Sequence, residues 1–475
     1  MRHDGGFVAF HLAFAVPGMA LLYALGMVRR VRDVPAAIGP AYLAGVAAVM
    51  SVLMLGLVLG AGIQLPQLAA VAGGLTVALA AAGFVLGRRR TREADPPEAE
   101  ASPFERWGGR ALAAALAAFF AVGASAFSKL PTVGDDWAIW SYKALAFFHF
   151  DGELTQEIFA GGEPGPAHLE YPVLLPLFES LFFRSVGEAQ LQEWHTVLWL
   201  LFGAFVWTVA WLVRTRGFPL LIVMVPVTAL ALTRRSAELI EIGYADVPLA
   251  CFAGAAILAF GLWLNDGGGR YAILGAVFLA GAANVKNEGL MVALALFVPA
   301  AAVLLVTRRP AWRTWGGAVA LTAAAAAPWM IWRGSKGLES TDVRGPFESL
   351  APGLLVDQAD RVPRTFRALV DQLAIQDLWV WLVPGLLVLS VLCLIRGTAR
   401  REAAFYLSVT VLLFLGLVFT YWTGKREIGY WLAFSADRTV ISVVFACGVG
   451  LIHLNALVVG TIRPRERDPA LTSEP

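Results

Sequence analysis

Gly289-Leu-Met-Val-Ala-Leu-Ala-Leu-Phe-Val-Pro-Ala-Ala-Ala-Val-Leu-Leu-Val306 contains no ionisable side chain over eighteen residues. Lys286, Asn287 and Glu288 precede it, and Arg308 and Arg309 follow. About 20 apolar residues in helical form cross the hydrocarbon of a bilayer. The stretch therefore reads as a membrane helix with a mixed-charge mouth at one end and a basic stop at the other. The same grammar repeats along the chain. Apolar runs fall at 7–28, 36–60, 66–87, 108–127, 190–213, 218–233, 247–264, 271–284, 289–306, 314–332, 378–395, 403–422 and 439–459. Thirteen runs of that kind predict an all-α, polytopic integral membrane protein.

Composition agrees. The 475 residues are 58% hydrophobic and 15% charged, whereas soluble domains have roughly 45–50% and about 25%. The net charge of +2 argues against nucleic-acid binding, which favours a strong basic excess. Cys251, Cys393 and Cys447 all sit in apolar runs and read as core residues, not as disulfides or metal ligands. The first run ends at Arg29, Arg30 and Arg32 without a marked basic stretch before it, so it reads as a retained helix and not a cleaved signal.

Alternating the runs across a membrane separates the loops into two sets. Arg29–Arg32, Arg88–Arg92, Arg214 with Arg216, Arg308 with Arg309, Arg396–Arg401 and the tail 461–475 are short and basic. Such loops are cytoplasmic by the positive-inside rule. The division that follows is three N-terminal helices in 1–87, a charged, proline-containing cytoplasmic linker at 88–106, a membrane core over 107–460 and a cytoplasmic tail. The N-terminus and two long segments, 128–189 and 333–377, then lie outside. Within the first of these, Trp137–Phe150 suits an amphipathic helix at the interface. Residues 160–170 are rich in Gly and Pro and predict irregular chain. The stretch from Tyr171 is short for a span and predicts an outer-face or partly inserted helix.

Four polar groupings share that outer face. Asp135 and Asp136 stand in Lys129-Leu-Pro-Thr-Val-Gly-Asp-Asp-Trp-Ala-Ile-Trp-Ser-Tyr-Lys-Ala144. Glu238, Glu241, Tyr244 and Asp246 precede Pro248. Lys286, Asn287 and Glu288 form the third, and Lys425, Arg426, Tyr430, Asp437 and Arg438 the fourth. Bland roles exist for each: a solvated cap for Asp135/Asp136, a helix cap for Asp246, a snorkelling lysine at 286, an ion pair between Asp437 and Arg438, and interface anchoring for Trp137 and Trp140. Both charge signs at four helix mouths still exceed what solvation requires, and ionisable groups at such depth line cavities. Displacing a phosphate from a sugar carbon needs a base for the incoming hydroxyl and cations for the departing phosphate. An aspartate of the 135/136 doublet can be the base. Lys286, with Arg344, Lys425, Arg426 or Arg438, can be the cations. His149 and His168 do not have the spacing of a zinc site.

In its motif order the chain resembles the GT-C class of polytopic glycosyltransferases that use polyprenyl-phosphate sugars. The nearest in pattern are the bacterial aminoarabinose (lipid A) transferases and the protein O-mannosyltransferases. Asp135–Asp136 matches their acidic motif after the first core span. Tyr171-Pro172-Val173 matches a proline-bearing juxtamembrane helix, Tyr244, Asp246 and Pro248 a Tyr-x-Asp-x-Pro-like element, and Lys286 to Gly289 a Lys-x-x-Gly-like element. The likeness covers about 107–300. Segment 333–377 corresponds to the family's second outer loop in position only. The aminoarabinose enzymes carry a lysine where this chain has Tyr171, and 1–87 has no counterpart there.

The resemblance implies a GT-C-like core with outer-face juxtamembrane helices. It implies an inverting hexosyl- or pentosyltransferase in the plasma or inner membrane of the cell envelope, with an extracytoplasmic site. Asp135 and Asp136 would be catalytic. Lys286, Tyr244, Asp246, Arg438, Lys425 and Arg426 would bind the donor phosphate. Glu288, Tyr171, Trp137 and Lys143 would line the substrate. The partners would be a polyprenyl-phosphate sugar, membrane lipid and a glycan, lipid or protein acceptor. No cofactor is required, although an aspartate pair can recruit a divalent cation. Two other readings stay open. One is a secondary transporter or lipid flippase. The other is an O-antigen-ligase-like transferase with a diphosphate-linked donor, suggested by Arg344, Arg361, Arg364 and Arg367.

Overall fold

The computed structural model describes residues 2–89, 101–131, 133–134, 136–154, 168–308 and 310–462. All regular structure among these residues is helical. Each of the thirteen apolar runs forms helix. Among the described residues, nine helices are long and apolar enough to cross a membrane, or ten if a bent pair counts as one span. The protein is an α-helical membrane protein.

The expected spans that fall short do so for local reasons. The run 271–284 becomes the 17-residue helix Gly269–Val285, which ends where Lys286 turns extended. The run 378–395 shrinks to Leu382–Arg396, because Val380 and Trp381 have positive φ and break the chain before it. The run 218–233 forms Leu220–Ala231 and then bends by 47° into Arg234–Glu241. Helix Trp312–Ser335 has the length, but its Gly, Trp and Pro residues dilute its hydropathy.

The first three helices are built into the rest. Helix Arg2–Ala24 packs on Ile38–Val58, Leu65–Arg89 and Leu174–Val186, and Ile38–Val58 packs on Leu191–Arg214 and Gly269–Val285. Close approach is steric: a Cβ on Gly18 would lie 1.7 Å from the Ala41 carbonyl oxygen, and one on Gly45 1.8 Å from that of Phe14. Small residues let helix backbones touch in this way. At the centre stands Asp246–Asp266, whose apolar window is 100% buried, while that of Pro103–Phe127 is 6% buried and lies on the periphery. Pro103–Phe127 begins with a capping box, Ser102 and Glu105 each bonding the other's backbone N–H, which satisfies two donors at the helix start.

The 128–189 segment contains helix in both places where the sequence suggests it. Asp136–Ser141 is a π-helical turn that runs into helix Tyr142–His149. One face, with Ile139, Trp140, Lys143, Ala144 and Phe147, is buried in protein, and the other exposes Trp137, Tyr142 and Phe150. The helix predicted from Tyr171 is Leu174–Val186, and most of its side chains are buried. The irregular stretch predicted at 160–170 falls mostly outside the described residues, as do the middle of the 88–106 linker and nearly all of the tail. Segment 333–377 carries the short helices Pro346–Ser349 and Pro352–Asp357 and the amphipathic helix Arg361–Leu373.

Candidate functional site

Asp246 opens the central helix, and Lys286 sits between helices Gly269–Val285 and Glu288–Thr307. The lysine Nζ is 3.0 Å from Asp246 Oδ1 and 3.1 Å from Glu288 Oε1. Arg438, near the end of helix Ile428–Thr439, donates from Nη1 to Asp246 Oδ2 at 3.2 Å. Its guanidinium lies 4.4 Å from the Tyr244 ring centroid. Two cations and two carboxylates thus form one neutral cluster. Burial works against the Lys286 ammonium, but Asp246 and Glu288 outweigh it and raise its pKa. An ammonium has three donors, and two of them are engaged here.

Beside the cluster lies a narrow crevice, with an enclosed volume of about 10 Å³, where five helices meet. Asp246, Glu288, Thr439 and Ser442 are its polar lining, and Leu249, Met291, Leu413, Leu417 and Val443 are its apolar lining.

A second group joins through Tyr171. Its ring is stacked between Trp140 (centroids 5.8 Å apart) and His168 (5.0 Å). Lys286 Nζ is 5.7 Å from that ring and Lys143 Nζ 6.0 Å. Burial, and then the charges of Glu288, Glu170 and Asp342, hold the Tyr171 phenol well above its usual pKa, so it remains protonated. Lys143 is fully buried, lies 4.9 Å from the Trp140 ring and donates to the His168 carbonyl at 3.2 Å. It pairs with no carboxylate among the described residues. Burial pushes its pKa down to about 7, with Glu170 pulling the other way. His168 Nδ1 meets Glu170 at 3.2 Å, and Nε2 approaches Asp342 at 3.9 Å.

Lys425 and Arg426, predicted to hold phosphate, are engaged elsewhere. Lys425 donates to the Ser340 carbonyl at 3.0 Å and Arg426 pairs with Asp342. Their role is to fasten the 340–342 stretch. Arg344 and Arg361 likewise bind backbone carbonyls of residues 423–426, while Arg364 and Arg367 are exposed beside Asp360 and Asp371. The arginines of 333–377 therefore do not converge on one anion site. Asp437 pairs with Arg235, not with Arg438. Glu238 is also held by arginines, at 2.8 Å from Arg234 and 3.0 Å from Arg235.

Asp135 lies outside the described residues. Asp136 does not face the crevice as expected. Its side chain is fully enclosed by Ser141, Glu179 and His195. It fits because residue 243 is glycine: a Cβ there would come within 2.2 Å of Asp136 Cγ. Gly243 immediately precedes Tyr244, so this enclosure backs onto the charged cluster. Trp137, at 53% exposure, points away from the buried groups.

Of the residues singled out in the sequence, the structure places Lys286, Asp246, Glu288, Arg438, Tyr244, Tyr171 and Lys143 near one another. The sequence reading missed Glu170, Asp342, Trp140, Glu179 and His195 as members. Glu170 and Glu179 gave a signal, since each is an acid in an otherwise apolar stretch. Among the described residues no group of His, Cys, Asp and Glu is arranged to hold a metal ion. No protein-family model, curated protein or solved structure matches the chain.

Proposed function

We propose that the chain is a membrane glycosyltransferase of the GT-C kind. It takes a sugar from a polyprenyl-phosphate donor and gives it to an acceptor hydroxyl on the extracytoplasmic face of the plasma or inner membrane. The observation that carries this reading is a buried ion cluster whose carboxylates Asp246 and Glu288 edge a narrow crevice also lined by Leu249, Met291, Leu413, Leu417 and Val443. A lipid phosphate has that shape: an anionic head on a hydrocarbon tail. In this reading all thirteen apolar helices cross the membrane, including the short ones.

The step is an inverting displacement. The acceptor oxygen attacks the anomeric carbon, and its proton passes to a carboxylate of the 135/136 doublet. The bond from the anomeric carbon to the phosphate oxygen breaks, and the electron pair leaves with the polyprenyl phosphate. Lys286 has a third N–H for that phosphate, and Arg438 adds positive potential. Because Asp136 is enclosed, the base role goes to Asp135. Glu288 and Asp246 accept hydrogen bonds from sugar hydroxyls, and Tyr171, as a protonated phenol, donates one. The acceptor is a glycan, a lipid or a protein hydroxyl.

A transporter is the second reading, favoured by the enclosed ionisable groups Asp136, Glu179 and His195, since buried acids and histidines also line proton-coupled pathways. One experiment separates the two. Purified protein in liposomes receives a radiolabelled polyprenyl-phosphate sugar and a membrane extract as acceptor source. Label transferred to an acceptor by the wild type, and reduced at least about 100-fold in Asp135→Asn, supports the transferase. Unchanged transfer by Asp135→Asn removes the assigned base. Solute accumulation in vesicles without a covalent product replaces the reading with transport.

A further inference from the structure

The enclosed group behind the mouth has a definite proton count. Ser141 Oγ is 2.6 Å from Glu179 Oε1 and 3.2 Å from Asp136 Oδ1. A hydroxyl has one proton to donate. Both contacts are hydrogen bonds only if one of the two carboxyls carries a proton and donates it to the serine. On the far side, His195 Nδ1 is 3.2 Å from the Gln192 carbonyl, which only accepts, so Nδ1 bears hydrogen. His195 Nε2 then faces Asp136 Oδ2 at 3.3 Å, and neither atom has another partner among the described residues.

We infer that Asp136, Ser141, Glu179 and His195 form a sealed proton relay, with Glu179 held as a neutral acid and one proton shared between Asp136 and His195. Glu179 is the better home for the first proton. It has no cationic neighbour among the described residues, and its Oε2 has no partner. A buried carboxylate in that state costs several kcal/mol, on the order of the desolvation of an unpaired ion. Asp136 has the imidazole beside it. The titratable and hydroxyl groups of the relay come from three elements, Asp136 and Ser141 from the π-helical turn, Glu179 from Leu174–Val186 and His195 from Leu191–Arg214, while Gly243 packs on Asp136 and brings no titratable group. Burial, and then the neighbouring Asp136, push the Glu179 pKa up.

The relay makes His195, Ser141 and Glu179 positioning residues. They fix the π-helical turn and compensate the charge of Asp136, which lowers the repulsion that any further carboxylate beside it would meet. That consequence rests on the transferase reading; the proton count does not.

Infrared spectroscopy of the purified protein at neutral pH reads the count directly. The wild type should show the carbonyl stretch of a protonated carboxylic acid, sensitive to deuteration. Glu179→Gln should lose that band and stay folded, because an amide also donates to Ser141. Asp136→Asn should keep it. Ser141→Ala, which removes only a hydroxyl, should keep the band but shift it upward as the acid loses its acceptor. A band unchanged in both Glu179→Gln and Ser141→Ala, or one lost in Asp136→Asn and kept in Glu179→Gln, overturns the assignment. If Glu179→Gln does not fold, Asp136→Asn and Ser141→Ala decide together: a band kept in the first and shifted in the second supports Glu179 as the acid, and a band lost in Asp136→Asn overturns it. In the transfer assay, His195→Gln should move the acidic limb of the pH profile to higher pH, whereas donor turnover failing altogether would refute the transferase and leave the infrared result standing.

Discussion

Two groups of acids lie to either side of the Gly243–Tyr244 pair and handle charge in opposite ways. Asp246 and Glu288 keep their charge beside Lys286 and Arg438 at the head of a crevice. Asp136 and Glu179 are closed off from solvent, with a hydroxyl and an imidazole as their only polar partners among the described residues. The first arrangement keeps its charges and pairs them. The second removes charge by keeping protons. Buried ion pairs tolerate the loss of one partner poorly, because the other remains charged and desolvated. A neutral hydrogen-bonded acid tolerates an isosteric amide well.

The largest effect should come from breaking the charged cluster. Asp246→Asn leaves Lys286 and Arg438 without their shared carboxylate and should cost about 3–5 kcal/mol, read as a lowered midpoint of thermal unfolding in detergent. Asp136→Asn, in the sealed group, should cost less, about 1–3 kcal/mol. Equal losses would erase the distinction between the two groups.

Lys143, beside Trp140 and Tyr171, sharpens the contrast through pH. Its folded-state pKa is depressed to about 7 by burial, so between that value and the ordinary lysine range the unfolded chain holds more protons than the folded one. Stability should therefore rise with pH across that window. Lys143→Met should flatten the rise and, below pH 7, stabilise the protein by about 1–4 kcal/mol. An unchanged slope of unfolding midpoint against pH would mean that Lys143 stays charged and solvated.

Most of the fold was legible in the sequence because membrane helices announce themselves by length and apolarity alone. The run 289–306 needed no neighbour to be read. The span count was less legible, since breaks such as Val380–Trp381 depend on backbone angles that no composition window records. The crevice-side cluster was legible because its acids and cations sit at helix ends, where an ionisable residue stands out. The sealed group was not. His195 lies inside an apolar helix as one polar side chain among many, and its meeting with Asp136 depends on a missing Cβ at Gly243. Lys425 and Arg426 misled for the converse reason: a cation near a mouth looks the same in sequence whether it faces a ligand or a backbone carbonyl.

Photolabelling tests the central claim most directly. A polyprenyl monophosphate carrying a diazirine in its tail is irradiated with the protein in lipid nanodiscs, and the labelled peptides are mapped. Labels should fall on helices Glu288–Thr307 and Arg400–Thr423, around Met291, Leu413 and Leu417, and should be lost with unlabelled polyprenyl phosphate or in Lys286→Ala. Labels scattered over lipid-facing helices such as Pro103–Phe127, and indifferent to Lys286, would contradict the account.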